Sequence, residues 1–320
     1  MSKKSIGILI LVIIGIIITI IILDFLGNRP NNRGDNPYEY NVEEFKAVDA
    51  SLIHYKETKN IPLGDIIARG MDIFKGDIYI TGQNFLQVIQ INGVKKLNVE
   101  LEETGICLLV KEEFIIVGLQ QKIILFDHEG QILNSWMPDK ETTYITSLAM
   151  KDDILYVADA GNRRVLRYNI DGTYIGEFEG KSESEAGHGF IIPSPHFDLV
   201  VNSYDELWVV NPGKHALENY TDEGDLRGFW ESSSMKIEGF TGCCNPAEIA
   251  VLSNGSFVTA EKGGMVRIKI YSQSGQLESV VAAPEKFVEE GKAPEVKVDE
   301  NDIIYALDFD KKMIRVFEKK

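Results

Sequence analysis

The chain has 320 residues, of which 44% are hydrophobic and 26% charged, with a formal net charge of −16 and a pI near 4.8. Apolar residues are numerous enough for a large core. The excess of carboxylates removes the attraction to phosphate on which nucleic-acid binding depends, so no nucleic-acid partner is expected.

Lys3 and Lys4 fall in a short amino-terminal segment, residues 1–5, and residues 6–23 follow without one charge, Thr19 being their one hydroxyl side chain. As a helix at 1.5 Å per residue that run is about 27 Å long, close to the hydrocarbon thickness of a bilayer. Residues 6–26 are therefore read as a transmembrane signal-anchor, and the two lysines keep the amino terminus in the cytoplasm with everything beyond it exported, periplasmic or extracellular. The competing reading, a cleaved signal peptide, needs a shorter apolar stretch and a small-residue cleavage site. Here LDFLGNRP follows an isoleucine-rich run instead, and no Cys closes the run as in a lipoprotein. Residues 27–42, rich in Asn, Pro, Arg and Gly, read as a linker.

Residues 43–320 carry a repeat. Its clearest copy is VADAGNRRVLRYNIDGTYIGEF at residues 157–178, where β-branched and apolar runs flank the turn Asp159-Ala160-Gly161-Asn162 and a second turn, Asp171-Gly172, precedes a third run. Five weaker copies pair residues 78–81 with 86–91, 114–117 with 123–126, 207–210 with 216–220, 257–260 with 266–271, and 303–307 with 313–317. The turn glycines Gly93, Gly130, Gly172, Gly224 and Gly275 are 37, 42, 52 and 51 residues apart, a spacing that suits four-stranded propeller blades. The last copy ends too early for a fourth strand. Residues 45–55, FKAVDASLIHY, are claimed by no copy, and pairing them with residues 313–317 would close a six-bladed ring.

At ADAGNRRVLRYNIDG, residues 158–172, the chain resembles the NHL-repeat family, whose blades read Ala-Asp, a Gly-Asn turn, an Arg, an apolar strand and an Asp-Gly turn. FTGCCNPAEIAVLSNGSFVTAE at residues 240–261 resembles that family's first strand, and GFIIPSPHFDLVV at residues 189–201 does so more loosely. The resemblance spans roughly residues 60–318 and implies an all-β, six-bladed β-propeller. It also implies that ligands meet the face where the innermost strands begin.

Counting back along each copy places Arg69, Gly105, Thr146, Asp198, Glu248 and Glu295 at the start of the six inner strands. Three successive blades thus carry a carboxylate where the resemblance leads one to expect Gly. Like charges around a narrow channel call for a cation or an Arg. Asp198, Glu248 and Glu295 are accordingly a candidate oxygen-rich site for Ca2+ or a cationic ligand. A solvated rim, or ties to Arg69 and backbone amides, is the competing reading. Cys243 and Cys244 lead into blade five, on the same expected face; adjacent cysteines do not easily bond to each other without a strained ring, so they read as a buried pair of small hydrophobes, a disulfide from one of them to a distant partner, or a soft-metal or redox site. His188 and His196 bracket the insertion before blade four. Some propellers resembling this family are zinc-dependent lyases with a His near the place of His196, but the other five blades have no matching His. Trp136, Trp208 and Trp230 are assigned to packing between blades. The expected function is a membrane-anchored extracytoplasmic module that binds or scaffolds a protein or small ligand, the alternative being a metal-dependent propeller hydrolase or lyase.

Overall fold

A computed structural model describes residues 3–27, 43–181 and 189–320. Two compact units emerge, Met1–Asn41 and Val42–Lys320. In the first, the helix Lys3–Gly27 lacks acidic residues in its first turn and basic ones in its last. Its described side chains from Val12 to Leu23 are exposed apolar groups apart from Gly15 and Thr19. Among the described residues no helix is long and apolar enough to cross a membrane, so the transmembrane part of the expected fold is not established by this structure. Most of the expected linker, and His188, lie outside the described residues.

The second unit is a six-bladed β-propeller: among the described residues, six four-stranded antiparallel sheets each hold consecutive strands, except that the last borrows its outer strand from the amino-terminal end. The repeated unit folds as its turns dictate. In blade three, Ile154–Asp159, Arg164–Asn169 and Tyr174–Phe178 pair in succession outside the inner strand Ile145–Lys151. Gly172 takes a left-handed φ of 86°, and a Cβ there would stand 3.0 Å from the Trp136 ring at the outer end of blade two. Gly275 repeats the device against Trp230 of blade four, where a Cβ would be 2.6 Å from the indole. Both conformation and neighbour thus demand glycine. Trp208 and Trp230 pack on Phe257 of the next blade, with ring centroids 4.8 and 6.3 Å away.

Closure of the ring falls to Tyr55–Pro62, which pairs antiparallel with Met313–Lys319, Ile61 opposite Ile314 and Tyr55 opposite Lys319. The expected segment, residues 45–55, is displaced. It holds the helix Glu43–Lys46 and the 3-10 turn Ala50–Leu52, whose Asp49 accepts from the Ser51 N–H, and only Tyr55 enters the strand. The more apolar run is not the strand. An edge strand needs one buried face only, and here Tyr55 and Ile61 are buried while the five residues between Tyr55 and Ile61 are exposed.

Each of blades three, five and six holds a buried ion cluster where its second strand hands over to its third. Arg164 binds Asp159 at 2.8 Å, Arg267 and Lys269 bind Glu261 at 2.8 Å, and Arg315 binds Asp308 at 3.2 Å and Glu57 at 2.8 Å. The Asp and Arg of the clearest copy are therefore a buried pair inside one blade. Arg315 joins both chain ends of the propeller unit.

Removal of residues 1–41 is expected to leave a folded propeller, whereas removal of residues 1–62 deletes the closing strand and leaves Arg315 without Glu57. Loss of the strand ladder and of the carboxylate beside the buried Arg315 charge is expected to lower Tm by several degrees relative to the longer fragment. Equal Tm values for the two fragments would refute closure by Tyr55–Pro62.

Candidate functional site at the channel mouth

The six inner strands, Ala68–Phe74, Gly105–Val110, Ile145–Lys151, Leu199–Val201, Glu248–Val251 and Glu295–Val298, surround the central channel. At the ends where they begin, a mouth of about 750 Å³ is lined by Arg69, Ile106, Thr146, His196, Phe197, Glu248 and Glu295, with Glu102, Glu103 and Lys292 among the loop residues around it. Arg69, Thr146, His196, Glu248 and Glu295 are thus brought together. Asp198 and Gly105 are not part of that lining.

Both departures have a cause in the backbone. In blades one, two and three the inner strand carries a bulge, between Ala68 and Gly70, Gly105 and Cys107, and Ile145 and Ser147. A bulge adds one unpaired residue and re-aims its side chain. The extra residues are Arg69, Ile106 and Thr146, so Ile106 rather than Gly105 faces the mouth in blade two. Blade four starts its inner strand late, at Leu199, and its mouth residues are His196 and Phe197.

Asp198 lies in the wall instead, 4% exposed. Its Oδ1 accepts from Ser147 Oγ at 2.5 Å and from its neighbour Leu199 N–H at 2.8 Å, and its Oδ2 accepts from Ile249 N–H at 2.7 Å. One carboxylate therefore ties the inner strands of blades three, four and five. Asp72 does the same between blades one and two, accepting from Ile73 N–H at 2.9 Å and Val110 N–H at 2.7 Å. The Asp198 oxygens are thus engaged by strand donors, and among the described residues no three His, Cys, Asp or Glu side chains group as metal ligands.

Glu248 and Glu295 stand in a lumen that water reaches but protein encloses. Burial pushes the carboxyl of Glu248 well above its ordinary range, and the Asp198 charge raises it further. Burial also raises Glu295, with Lys297 opposing and Glu248, Asp198 and Asp72 adding to the rise. Lys297, two residues along the same strand face, lies 3.5 Å from Glu295. Burial disfavours its charge, yet Glu295, Asp198, Asp72 and Glu248 together hold it protonated above the usual lysine value. His196 Nδ1 is 3.6 Å from Glu248 Oε1, beyond hydrogen-bond reach, and burial, aided by Lys262, lowers the imidazole to about 4. At neutral pH it is an uncharged base beside a carboxyl with raised proton affinity.

One buried acceptor at the mouth is unmet. Glu295 is 7% exposed, and its Oε2 has no hydrogen-bond partner. Among the described residues, the Arg69 guanidinium and the Lys292 ammonium make no ion pair. Sequence counting missed Lys297, Lys292 and Asp72. Lys297 was accessible through strand alternation, since residues i and i+2 share a face; Lys292 is in a loop, and Asp72 is set by the bulge before it.

Cys243 and Cys244 open on a neighbouring cavity of about 600 Å³ that shares His196 and Lys292 with the mouth. They remain free thiols, as does the buried Cys107, whose thiol burial pushes upward, the Glu295 charge adding to this.

These observations define a six-bladed propeller with a polar, mixed-charge mouth. A streptogramin B lyase structure aligns with a TM-score of 0.61 at 12% identity, over 83% of this chain and 98% of the other. A catalytically inactive virginiamycin B lyase from Staphylococcus aureus, solved with quinupristin, gives 0.59 at 17% identity over 83% and 88%. The WD40 domain of Neurospora crassa Pan2 gives 0.56 at 9% over 82% and 94%. At such identities the likeness establishes the fold. No family model matches the sequence, and neither does any curated protein.

The raised carboxyls give a pH signature. A group whose folded pKa lies above its unfolded value stabilises below the unfolded pKa and loses that contribution as pH rises through the folded one. Glu295→Gln is therefore expected to raise Tm at pH 7, and the gap to the parent should close as pH falls toward the ordinary Glu value. A gap independent of pH would show that Glu295 is not held protonated by its surroundings.

Proposed function

We propose that the protein is an NHL-type propeller that binds a small organic cation at the channel mouth, held outside the cytoplasm by a membrane anchor at residues 6–26. The observation that carries the site is the buried, unpartnered Oε2 of Glu295 facing a cavity of about 750 Å³ beside Glu248. A cation entering there would satisfy an acceptor that is otherwise costly to leave unmet and, by displacing the protons that burial holds on Glu248 and Glu295, supply the positive charge that their ionised forms need beside Asp198. Arg69, on the adjoining blade, and Lys292, in the loop before Glu295, add anchors for an anionic group on the same ligand. NHL membership is supported by the buried Asp159–Arg164 pair, with Asn162 Nδ2 donating to Asp159 at 2.7 Å. The anchor is supported by the uncharged run after Lys3 and Lys4.

Titration of the soluble fragment beginning at residue 42 with arginine amide should raise Tm, and the double variant Glu248→Gln, Glu295→Gln should lose that gain. Ca2+ should give no comparable shift. A flat response to the organic cation, or one retained by the double variant, would overturn the site. For the anchor, a reporter fused after Lys320 should be active only outside the cytoplasm, and the chain should stay with membranes through a high-salt wash; release of a shortened soluble species would overturn it.

A second reading, a lyase, is favoured by the neutral His196 next to Glu248, an acid and a base with pKa values pushed apart. Its assay is turnover of quinupristin, lost in His196→Ala. Absence of turnover at high enzyme concentration would remove it.

A further inference from the structure

The loop before blade five holds two thiols in an unequal pair. Cys243 is exposed and Cys244 is 2% exposed, and their Sγ atoms lie 3.1 Å apart. The residues on either side fix the loop. Asn245 Nδ2 donates to Thr241 O at 2.5 Å and to Lys262 O at 3.2 Å, Asn245 Oδ1 accepts from Lys262 N–H at 2.9 Å, and Thr241 N–H donates to the buried Glu261 at 3.2 Å. Both sulfurs border the 600 Å³ cavity, so a small reagent has room to approach.

We propose that Cys243 and Cys244 are a reversible dithiol–disulfide couple, oxidised by a low-molecular-weight disulfide. The thiolate of Cys243 attacks one sulfur of the reagent, forming a mixed disulfide and releasing one thiolate. Cys244, after losing its proton to water, attacks Cys243 Sγ and expels the second thiolate. Two protein thiols and one small disulfide thus become one protein disulfide and two small thiols, with two electrons passing to the reagent.

The order of attack follows from the surroundings. Burial raises the Cys244 thiol, a direction that Cys243 reinforces and that a Ser194 hydrogen bond and Lys262 oppose. Cys244 is therefore the poorer first nucleophile and is screened from the reagent, whereas Cys243 meets it directly. The closing step is intramolecular and starts with the sulfurs already adjacent, so proximity favours it strongly over attack by a second small thiol. Closure brings the sulfurs from 3.1 Å to about 2.05 Å. Adjacent residues keep their Cα atoms about 3.8 Å apart, short of the usual disulfide span of about 4.4–6.8 Å. Such a bridge is strained and easily reduced, which makes it a reversible couple rather than a structural staple.

The test treats the reduced full-length protein with oxidised glutathione, quenches with acid, alkylates, digests with trypsin and reads the peptide between Lys236 and Lys262 by mass. That peptide carries both cysteines and not Cys107. The expected product has lost two hydrogens and carries neither glutathione nor alkyl groups, and dithiothreitol restores two alkylatable thiols. Cys244→Ser should stop at the first step, with one glutathione on Cys243. A lasting glutathione adduct on the parent peptide, two alkylatable thiols after oxidation, or no adduct on Cys244→Ser would each overturn the proposal.

Discussion

The fold depends on a guanidinium shared by the two ends of the propeller. Arg315, 2% exposed, donates through Nε and Nη2 to Glu57 at 3.0 and 2.8 Å and through Nη1 to Asp308 at 3.2 Å, and it lies over the ring of Phe287 at 4.7 Å. Hydrogen bonds along a strand pair set which edge meets which, but alone they specify register weakly where a strand is polar on both faces, as from Lys56 to Asn60. Tyr55–Pro62 is such a strand, with a register shift between Glu57 and Lys59. A buried charge with two carboxylate partners penalises any other register, because a slip would strand Arg315 without Glu57. The ion pair holds Glu57 in its charged form, the Arg315 hydrogen bond lowering its pKa against burial.

A closed ring then forces the inner strands together, and the channel shows how that crowding is satisfied. Gly70 lies where a Cβ would be 2.7 Å from Ile106 O on the next blade. Elsewhere side-chain oxygens bridge the gap: Thr146 Oγ1 donates to Phe197 O at 2.6 Å, and Asp198 and Asp72 accept from the neighbouring strands. Carboxylates at this depth serve as acceptors for inner-strand N–H groups that would otherwise have no partner. The resulting negative potential is concentrated on Lys297 and on the mouth, where Glu248 and Glu295 hold their protons more tightly than solvated carboxyls do.

The blades were legible from the sequence because their signals are local. The strands Ile123–Phe126, Tyr174–Phe178, Ala216–Tyr220 and Phe257–Ala260 match the apolar runs residue for residue, each bounded by turn chemistry that needs no tertiary context. The closing strand was not legible, since YKETKNIP has a polar exposed face and gains its place only from Met313–Lys319. Of the mouth, Arg69, Thr146, Glu248 and Glu295 were found by counting, whereas Asp198 was misassigned to it. A bulge leaves no sequence mark in Ala68–Phe74, Gly105–Val110 or Ile145–Lys151, yet it decides which residue of each strand faces the mouth.

That distribution of bulges divides the mouth chemically. Blades five and six have regular inner strands whose first residues, Glu248 and Glu295, bring carboxyls to the lumen. Blades one, two and three have bulged strands that present Arg69, Ile106 and Thr146, a cation, an apolar side chain and a hydroxyl. Blade four contributes the uncharged imidazole of His196, while the Phe197 ring is buried against Phe190. On the proposed reading, a ligand spanning the opening would meet acceptors on one arc and a guanidinium on the adjoining one, an arrangement that would orient a molecule carrying both charges. Because Asp198 and Asp72 tie neighbouring inner strands together, that polarity is built into the wall, and binding there would spend little free energy on reorganisation.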